Sequence, residues 1–596
     1  MLRTPLQKNF IRILFLSMVI LSCKEVPAQN KSTEILWDNY GVPHIYAAST
    51  ADMYYAFGWA QAKNHANLLL QLYAQARGRA SAYWGERFVD LDLKIHAFNL
   101  PALATTHYAK QDKETKANLD AFVNGINAYV QKNGSLIDST SRLVYPITAV
   151  DVIAHALRVI SLEFLGSDDI SNVRRSIAPG SNAYAIAPSK SASKNAMLVS
   201  NPHLPWQDFY TFFEAHLNAP GFNAYGTSLL GQPGLNIAFN ENLGWTHTVN
   251  TIDASDRYEL TLQDGGYLLD GKTEPFEKRT VTLKVRQPNG SSVEKVQELL
   301  TSKHGAVMGQ KNGKAYAVRV AGLDNAFQAK QYHLMAKAKN YKEFEAAIRM
   351  MQNPMFNIIY ADKAGNILYL FNGNVPVRSE GDWRFWQSNV SGTSSKYIWN
   401  KYHRFEDLPK IFNPATGFVQ NANDPPWFAT YPAVLKASDY PTYMSPEGMV
   451  LRPQRAVNLI KDDASITFDE LVAYKLNTGM EAADRFLDDL LNAVHQSNDT
   501  VAKRAAIVLQ QWDKTTDATS RGGVLFAAWL DKMSPGMFAK PWSVTDPLLT
   551  PDGLKNPAGA VALLTKAAEE VQKAYGSIDV AWGDVNRFRV GNYNLP

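Results

Sequence analysis

At 596 residues the chain is far longer than one small core needs, and 46% apolar against 19% charged residues describes a globular protein able to bury a large interior. A net charge of +4 over that length is too small to mark a nucleic-acid binder. A single cysteine excludes both a disulfide framework and a cysteine-based zinc site, so stability must come from core size.

In chain order, Arg3, Lys8 and Arg12 precede the apolar run Ile13 to Leu21, which is too short to span a bilayer and suits the apolar core of a secretory signal. The following Ile20-Leu21-Ser22-Cys23 resembles a bacterial lipobox. Residues 1–22 are therefore expected to be a lipoprotein signal and Cys23 the lipidated first residue. Ordinary cleavage near Ala28, which discards Cys23, is the alternative. Either route exports the chain to the periplasm or outer membrane, with membrane attachment only through a lipid anchor.

From Glu34, "EILWDNYGVPHIYA" alternates and then turns at Gly41-Val42-Pro43, predicting two short strands. Met53, Ala56, Phe57, Ala60, Leu68, Leu69 and Leu72 recur at helical spacing, and the same period continues through "NLDAFVNGINAYVQ" and "DVIAHALRVISLEFL". Residues 30–165 thus read as mainly helical. Beyond Pro179 strand patterns take over in "NAYAIAP", "AMLVS", "GLNIAF", "RYELTL", "RTVTLKV" and "AYAVRVA", then in "NIIYADKAGNILYLFNG" with a turn at Gly365-Asn366. Helices return at "YKEFEAAIRMM", "FDELVAYKLN", "DRFLDDLLNAV" and "AKRAAIVLQQW". Without repeats or low-complexity tracts, these elements are expected to pack as layers of one large α+β body. The strand-like ending "VAWGDVNRFRVGNYNLP" lacks a closing element, and truncation is expected there.

The chain has no H-E-x-x-H, P-loop, Gly-rich dinucleotide turn or G-x-S-x-G elbow, which removes metalloprotease, NTPase, dehydrogenase and α/β-hydrolase chemistry. A serine hydroxyl needs an adjacent base, and one source is the α-amine of an N-terminal residue, whose pKa near 8 suits the task. Read from composition alone, Gly180-Ser181 is either a turn before a strand or a bond whose cleavage would give Ser181 such an amine.

The segment "GSNAYAIAPSKSASKNAMLVSNPHLPW" resembles the nucleophile region of the penicillin acylase family of N-terminal-nucleophile hydrolases, which includes acyl-homoserine-lactone and aculeacin-type acylases. "YGVPHIYA", "AFGWAQAKNHANLLLQLYAQARGRASAYWG", "GQPGLNIAFNENLGWTHTVN", "TSKHGAVM", "GFVQNANDPPW" and "WGDVNRFRVGNYNLP" agree in the same order, so the likeness covers nearly all of residues 33–596. It implies a four-layer αββα fold, with a mainly helical α chain (23–165) wrapped on a β-rich β chain (181–596) after loss of a spacer (166–180). The two chains would form a heterodimer from one precursor cut between Gly180 and Ser181.

The resemblance further implies Ser181 as nucleophile with its own α-amine as base, and His203 beside it. The Val249 backbone N–H and the Asn423 side chain would be the oxyanion donors, with Arg455, or Arg452, near Asn423. Leu204, Leu230, Ile237 and Thr251 fall on acyl-pocket positions and favour an aliphatic chain. Asp253 and Asp256 fall on a calcium-binding pair, so a structural Ca2+ is possible although the chemistry needs no cofactor. The expected activity is hydrolysis of an acyl-homoserine lactone or similar N-acyl amide. A β-lactam acylase is the alternative within the family, and a non-catalytic surface lipoprotein that binds rather than cleaves is the alternative outside it.

Overall fold

The computed structural model describes residues 33–171 and 180–596, so the signal at 1–22, Cys23 and the middle of the spacer lie outside the described residues. Strands β1 (Glu34–Trp37) and β2 (Pro43–Tyr46) form an antiparallel hairpin with Trp37 opposite Pro43, turned through Gly41 at a φ of +78°. Helix α1 (Thr50–Ala76) starts at Ser49, whose hydroxyl accepts the Asp52 N–H, and α2 (Lys113–Lys132) starts at Asp112, which accepts the Thr115 N–H. The two helices touch backbone to backbone. A Cβ on Gly58 would sit 2.0 Å from the Phe122 carbonyl oxygen and one on Gly125 would sit 1.9 Å from that of Tyr55, so any side chain at either position would push them apart. Helix α3 (Ala149–Leu157) runs on into a π-helical stretch, Arg158–Leu165.

The strand region then supplies β3 (Gly180–Ile186), β4 (Met197–His203), β5 (Phe212–Ala219), β6 (Phe222–Leu229), β7 (Ile237–Phe239), β8 (Leu243–Thr248) and β9 (Ser255–Gln263). Later come β10 (Asn357–Asp362), β11 (Ile367–Leu370), β12 (Lys410–Phe412) and β13 (Phe418–Asn421). One nine-stranded sheet has the order β1-β2-β5-β6-β7-β8-β10-β11-β12, and a three-stranded sheet has the order β13-β3-β4. Every residue of β8 and β10 is buried: Tyr332 and Phe344 pack on Trp245, His247 and Tyr360 on one face, β3 and β4 pack over the other, and α1 covers the sheet farther along at β2 and β5. Helix α4 (Leu451–Ile460) lies on β13 and completes a helix, sheet, sheet, helix stack.

Two satellite bodies attach to this stack. An eight-stranded sheet that includes β9 has its own core around Tyr258, Leu260, Tyr267 and Trp386. Helices α5 (Glu481–His495), α6 (Thr500–Gln511), α7 (Gly523–Leu530) and α8 (Pro557–Tyr575) enclose Phe486, Leu490, Leu509, Trp529 and Leu564. Among the described residues no helix is long and apolar enough to cross a membrane.

The β5–β6 hairpin has no counterpart among the sequence-expected strands. Its inward positions on β5 are Phe213, Ala215, Leu217 and Ala219, and two of the four are alanines that give little period-two contrast. The strand Ser292–Ser302 also went unread, since seven of its residues are exposed and polar patterning alone does not announce a strand.

Candidate active site

Ser181 is the second residue of β3, paired with Pro202 of β4, while Gly180 faces His203. On the other side β13 pairs Asn421 with Ala183, so the loop leaving β13 folds back over the start of β3. That return brings Asn423, in the left-handed conformation at φ +64°, onto the serine. Ser181 is 3% exposed. Its N–H donates to Asn423 Oδ1 at 2.6 Å and its hydroxyl donates to the Gly180 carbonyl at 2.7 Å.

Arg452, at the start of α4, donates through Nη2 to the same Asn423 Oδ1 at 2.7 Å, and through Nη1 to the Ser181 carbonyl at 2.9 Å and to Asn182 Oδ1. An oxygen that accepts two donors fixes the orientation of the Asn423 amide. Its Nδ2 therefore points at Val249, donating to that carbonyl at 2.7 Å, and keeps a second hydrogen for another acceptor. Val249 lies just past the end of β8, and its N–H has no acceptor among the described residues.

A buried polar network holds the Asn423 loop in place. Asn421 Oδ1 accepts from Thr248 Oγ1 at 2.6 Å, from Asn357 Nδ2 at 3.1 Å and from the Asn423 N–H at 2.9 Å. Its Nδ2 donates to the carbonyl and carboxylate of Asp424, which also accepts the Ala422 N–H at 2.9 Å. Burial pushes the Asp424 carboxyl up to about 6, against the pull of the Ala422 N–H, the Gln420 amide and the Arg452 charge. The network ties the end of β8, which carries Val249, to the loop that carries Asn423. The sequence pattern singles out none of Asn421, Asp424, Thr248 or Asn357, although "QNAND" holds four amide or acid side chains within five residues.

The other expected residues divide. The His203 ring comes 3.7 Å from where a Gly180 Cβ would stand, and it makes no hydrogen bond to Ser181 among the described residues. Burial, then the charges of Arg452 and Lys475, hold its pKa below the usual histidine value. Arg455 is a correction. One turn along α4 from Arg452, it turns away to Asn477 and Asp484, both at 3.0 Å, and Arg452 takes the place beside Asn423.

Of the four acyl-pocket residues, Ile237 and Thr251 line different cavities. Ile237 lines a cavity of about 670 Å³ against β4, β6 and β8. Thr251 lines another of about 600 Å³ that opens at Val249 and is walled by Phe164, Ile252, Met355 and Trp383. Leu230 is fully buried and Leu204 half-buried against the core.

Asp253 and Asp256 do come together, but around a side chain. Arg378, fully buried, donates from Nη1 to Asp253 at 3.1 Å and from Nη2 to Asp256 at 2.8 Å, and stacks 4.4 Å from the centre of the Trp386 ring. The indole N–H of Trp399 donates to the second Asp256 oxygen. The guanidinium thus supplies the positive charge that the calcium expectation assigned to an ion, and the pair does not fit a Ca2+ site that needs those same oxygens. Among the described residues no cluster of three or more His, Cys, Asp or Glu side chains is arranged to hold a metal.

The stacking of layers defines the class as an αββα sandwich of the N-terminal-nucleophile hydrolase type. It matches the solved thermostable penicillin G acylase from Alcaligenes faecalis with a TM-score of 0.52 at 20% identity, over 66% of this chain and 79% of that one. The chain belongs to the penicillin amidase family, whose sequence profile matches residues 32–594. It is 27% identical to the acyl-homoserine lactone acylase PvdQ of Pseudomonas savastanoi pv. phaseolicola, over 96% of this chain and 84% of the relative. It is 24% identical to the aculeacin-A acylase of Actinoplanes utahensis, over 86% and 76%. The protein is therefore an acylase, a hydrolase acting on amide bonds.

Proposed function

We propose that the chain is an exported precursor that cuts itself before Ser181 and then hydrolyses the amide of an acyl-homoserine lactone or a similar aliphatic N-acyl amide. The observation that carries this reading is the three-way contact of Ser181, Asn423 and Arg452, with the serine hydroxyl already on the carbonyl of the Gly180–Ser181 bond. In the cut, Ser181 Oγ adds to the Gly180 carbonyl carbon and the amide nitrogen leaves with the hydroxyl proton, giving an ester. Water hydrolyses that ester, freeing the Gly180 carboxylate and returning a Ser181 that now bears an α-amine.

In turnover the α-amine takes the Oγ proton as the oxygen adds to the substrate amide carbon. The Arg452 cation nearby favours the neutral amine over the ammonium. The free Val249 N–H and the spare Asn423 Nδ2 hydrogen suit the oxyanion, each such donor being worth about 2.7–4 kcal/mol of barrier. The proton passes to the leaving amine, and water resolves the acyl-enzyme by the same route. The cavity that opens at Val249 is lined by Phe164, Ile252, Met355 and Trp383 as well as by Asp168, Asp169, Asp253 and Arg257, so an aliphatic acyl chain placed there would rest on the first four. Relatives named for acyl-homoserine lactones, matched over most of both chains, favour that substrate class over β-lactams.

The test is amine release from decanoyl-homoserine lactone and from penicillin G, run with wild type and Ser181→Ala. Turnover of the lactone by wild type alone is expected. Turnover of penicillin G alone would move the enzyme to the β-lactam side of the family. Inertness of a correctly folded wild type on all N-acyl amides would make it a binding module.

A further inference from the structure

Away from the serine, β2 and β5 run parallel and place His44 directly opposite His216. Phe213 of β5 packs on Phe57 of α1, so His216, three residues on, lies on the opposite face of the sheet, where both imidazoles are half-exposed. Their Nδ1 atoms are 3.2 Å apart.

The neighbours decide which nitrogen carries hydrogen. Asn223 Nδ2 donates to Glu241, a carboxylate that can only accept, so Asn223 turns its oxygen to His216 Nε2, 2.7 Å away, and that nitrogen must donate. His44 Nε2 faces the Asp38 carboxylate at 3.7 Å, and Asp38 is itself fixed by the N–H groups of Tyr40 and Val42 at 2.8 and 2.9 Å. The neutral His216 ring therefore leaves its Nδ1 bare, and when His44 carries its proton on Nε2, on the Asp38 side, two Nδ1 lone pairs meet at 3.2 Å. Such a pair repels unless a cation lies between them.

The spacing matches a shared metal ion. At metal–nitrogen bonds of about 2.05 Å, two ligand nitrogens stand about 2.9 Å apart at a right angle and about 3.3 Å at the tetrahedral angle. Oxygen acceptors on the far nitrogens are the usual support of metal-bound histidine. We propose that His44 and His216 bind one first-row transition-metal ion, Zn2+ or Cu2+, through their Nδ1 atoms, with water completing the shell. The ion ties the β1–β2 hairpin to β5. If the chain is cut before Ser181 as proposed above, the same ion joins the two polypeptides. That consequence rests on the cleavage reading, whereas the site itself does not.

The experiment uses full-length, tag-free protein stripped with EDTA, desalted, and titrated calorimetrically with ZnCl2 at pH 7.5. One saturable ion per chain is expected, weakened at least tenfold by His44→Gln and by His216→Gln, with the metal-free melting temperature of each variant unchanged. Cu2+-loaded wild type should show nitrogen hyperfine coupling from two imidazoles in its electron paramagnetic resonance spectrum. Absence of a saturable site in wild type, which would mean that the pair shares a proton instead, overturns the proposal. So does unchanged binding in both variants. A Cu2+ spectrum without two coupled nitrogens also overturns it, whether or not the variants fold.

Discussion

Replacing Asn423 by glycine isolates the oxyanion donor. Asn423 sits at φ +64°, which glycine adopts freely and alanine does not, so Asn423→Gly removes the side chain without straining the turn. Three hydrogen bonds go with it: Ser181 N–H to Oδ1, Arg452 Nη2 to Oδ1 and Nδ2 to the Val249 carbonyl. Arg452 retains its bonds to the Ser181 carbonyl and to Asn182, so the guanidinium stays placed. Losing one donor to the developing oxyanion costs about 2.7–4 kcal/mol of barrier, a fall of roughly 100- to 1,000-fold in kcat. KM should change by no more than about threefold, because the donor acts in the transition state rather than in the bound ground state. The assay is lactone hydrolysis normalised to the cleaved fraction seen on a denaturing gel. A cleaved Asn423→Gly enzyme with kcat within threefold of wild type would refute the oxyanion role.

Arg452 and Arg455 separate by position. Arg452→Met should cost at least about tenfold in kcat/KM, because it removes a cation and its hydrogen bonds to Ser181, Asn182 and Asn423, while Arg455→Met leaves kcat/KM within about twofold; comparable losses in both would contradict the assignment. Arg378→Ala leaves Asp253 and Asp256 buried without their counter-charge, so it should destabilise by about 3–5 kcal/mol by urea unfolding, whereas adding CaCl2 to EDTA-stripped wild type should leave its stability unchanged. Asp169 gives a pH signature. Burial first, then Asp253 and Asp168, push its carboxyl up to about 7 against the Ser255 hydroxyl bond, so the folded state holds its proton more tightly than the unfolded chain does. Stability from this group is present near pH 4 and lost as pH rises towards 7. In the uncut Ser181→Ala chain, which keeps residues 166–180, the melting temperature of Asp169→Asn relative to its parent should therefore climb between pH 4 and 7 and level off above, and a flat difference would contradict the burial argument.

The layers were readable because amphipathic helices and alternating strands carry their period in the residue types, as in "NLDAFVNGINAYVQ" and "NIIYADKAGNILYLFNG". Gly180-Ser181, Val249 and Asn423 stand in short motifs whose local order survives in the chain, so their meeting could be expected from the resemblance. The arginine could not be phased. Arg452 and Arg455 share α4 one turn apart, Arg452 lies 29 residues beyond Asn423, and only the way the helix enters after Val450 decides which guanidinium reaches the serine. Arg378 was equally invisible, since it lies more than 120 residues beyond Asp256 in an unremarkable loop and meets it only through the fold. The His44–His216 pair arises from a parallel pairing between segments far apart in sequence, which no local pattern records.

The central claim is that the Gly180–Ser181 bond breaks and that Ser181 becomes an N-terminus. Sequencing the amino terminus of the larger fragment from purified full-length protein tests it directly. The account predicts a fragment that begins Ser181-Asn182-Ala183, and a single uncut chain from Ser181→Ala. An uncut wild-type chain, a fragment beginning elsewhere, or cleavage that persists in Ser181→Ala would contradict it.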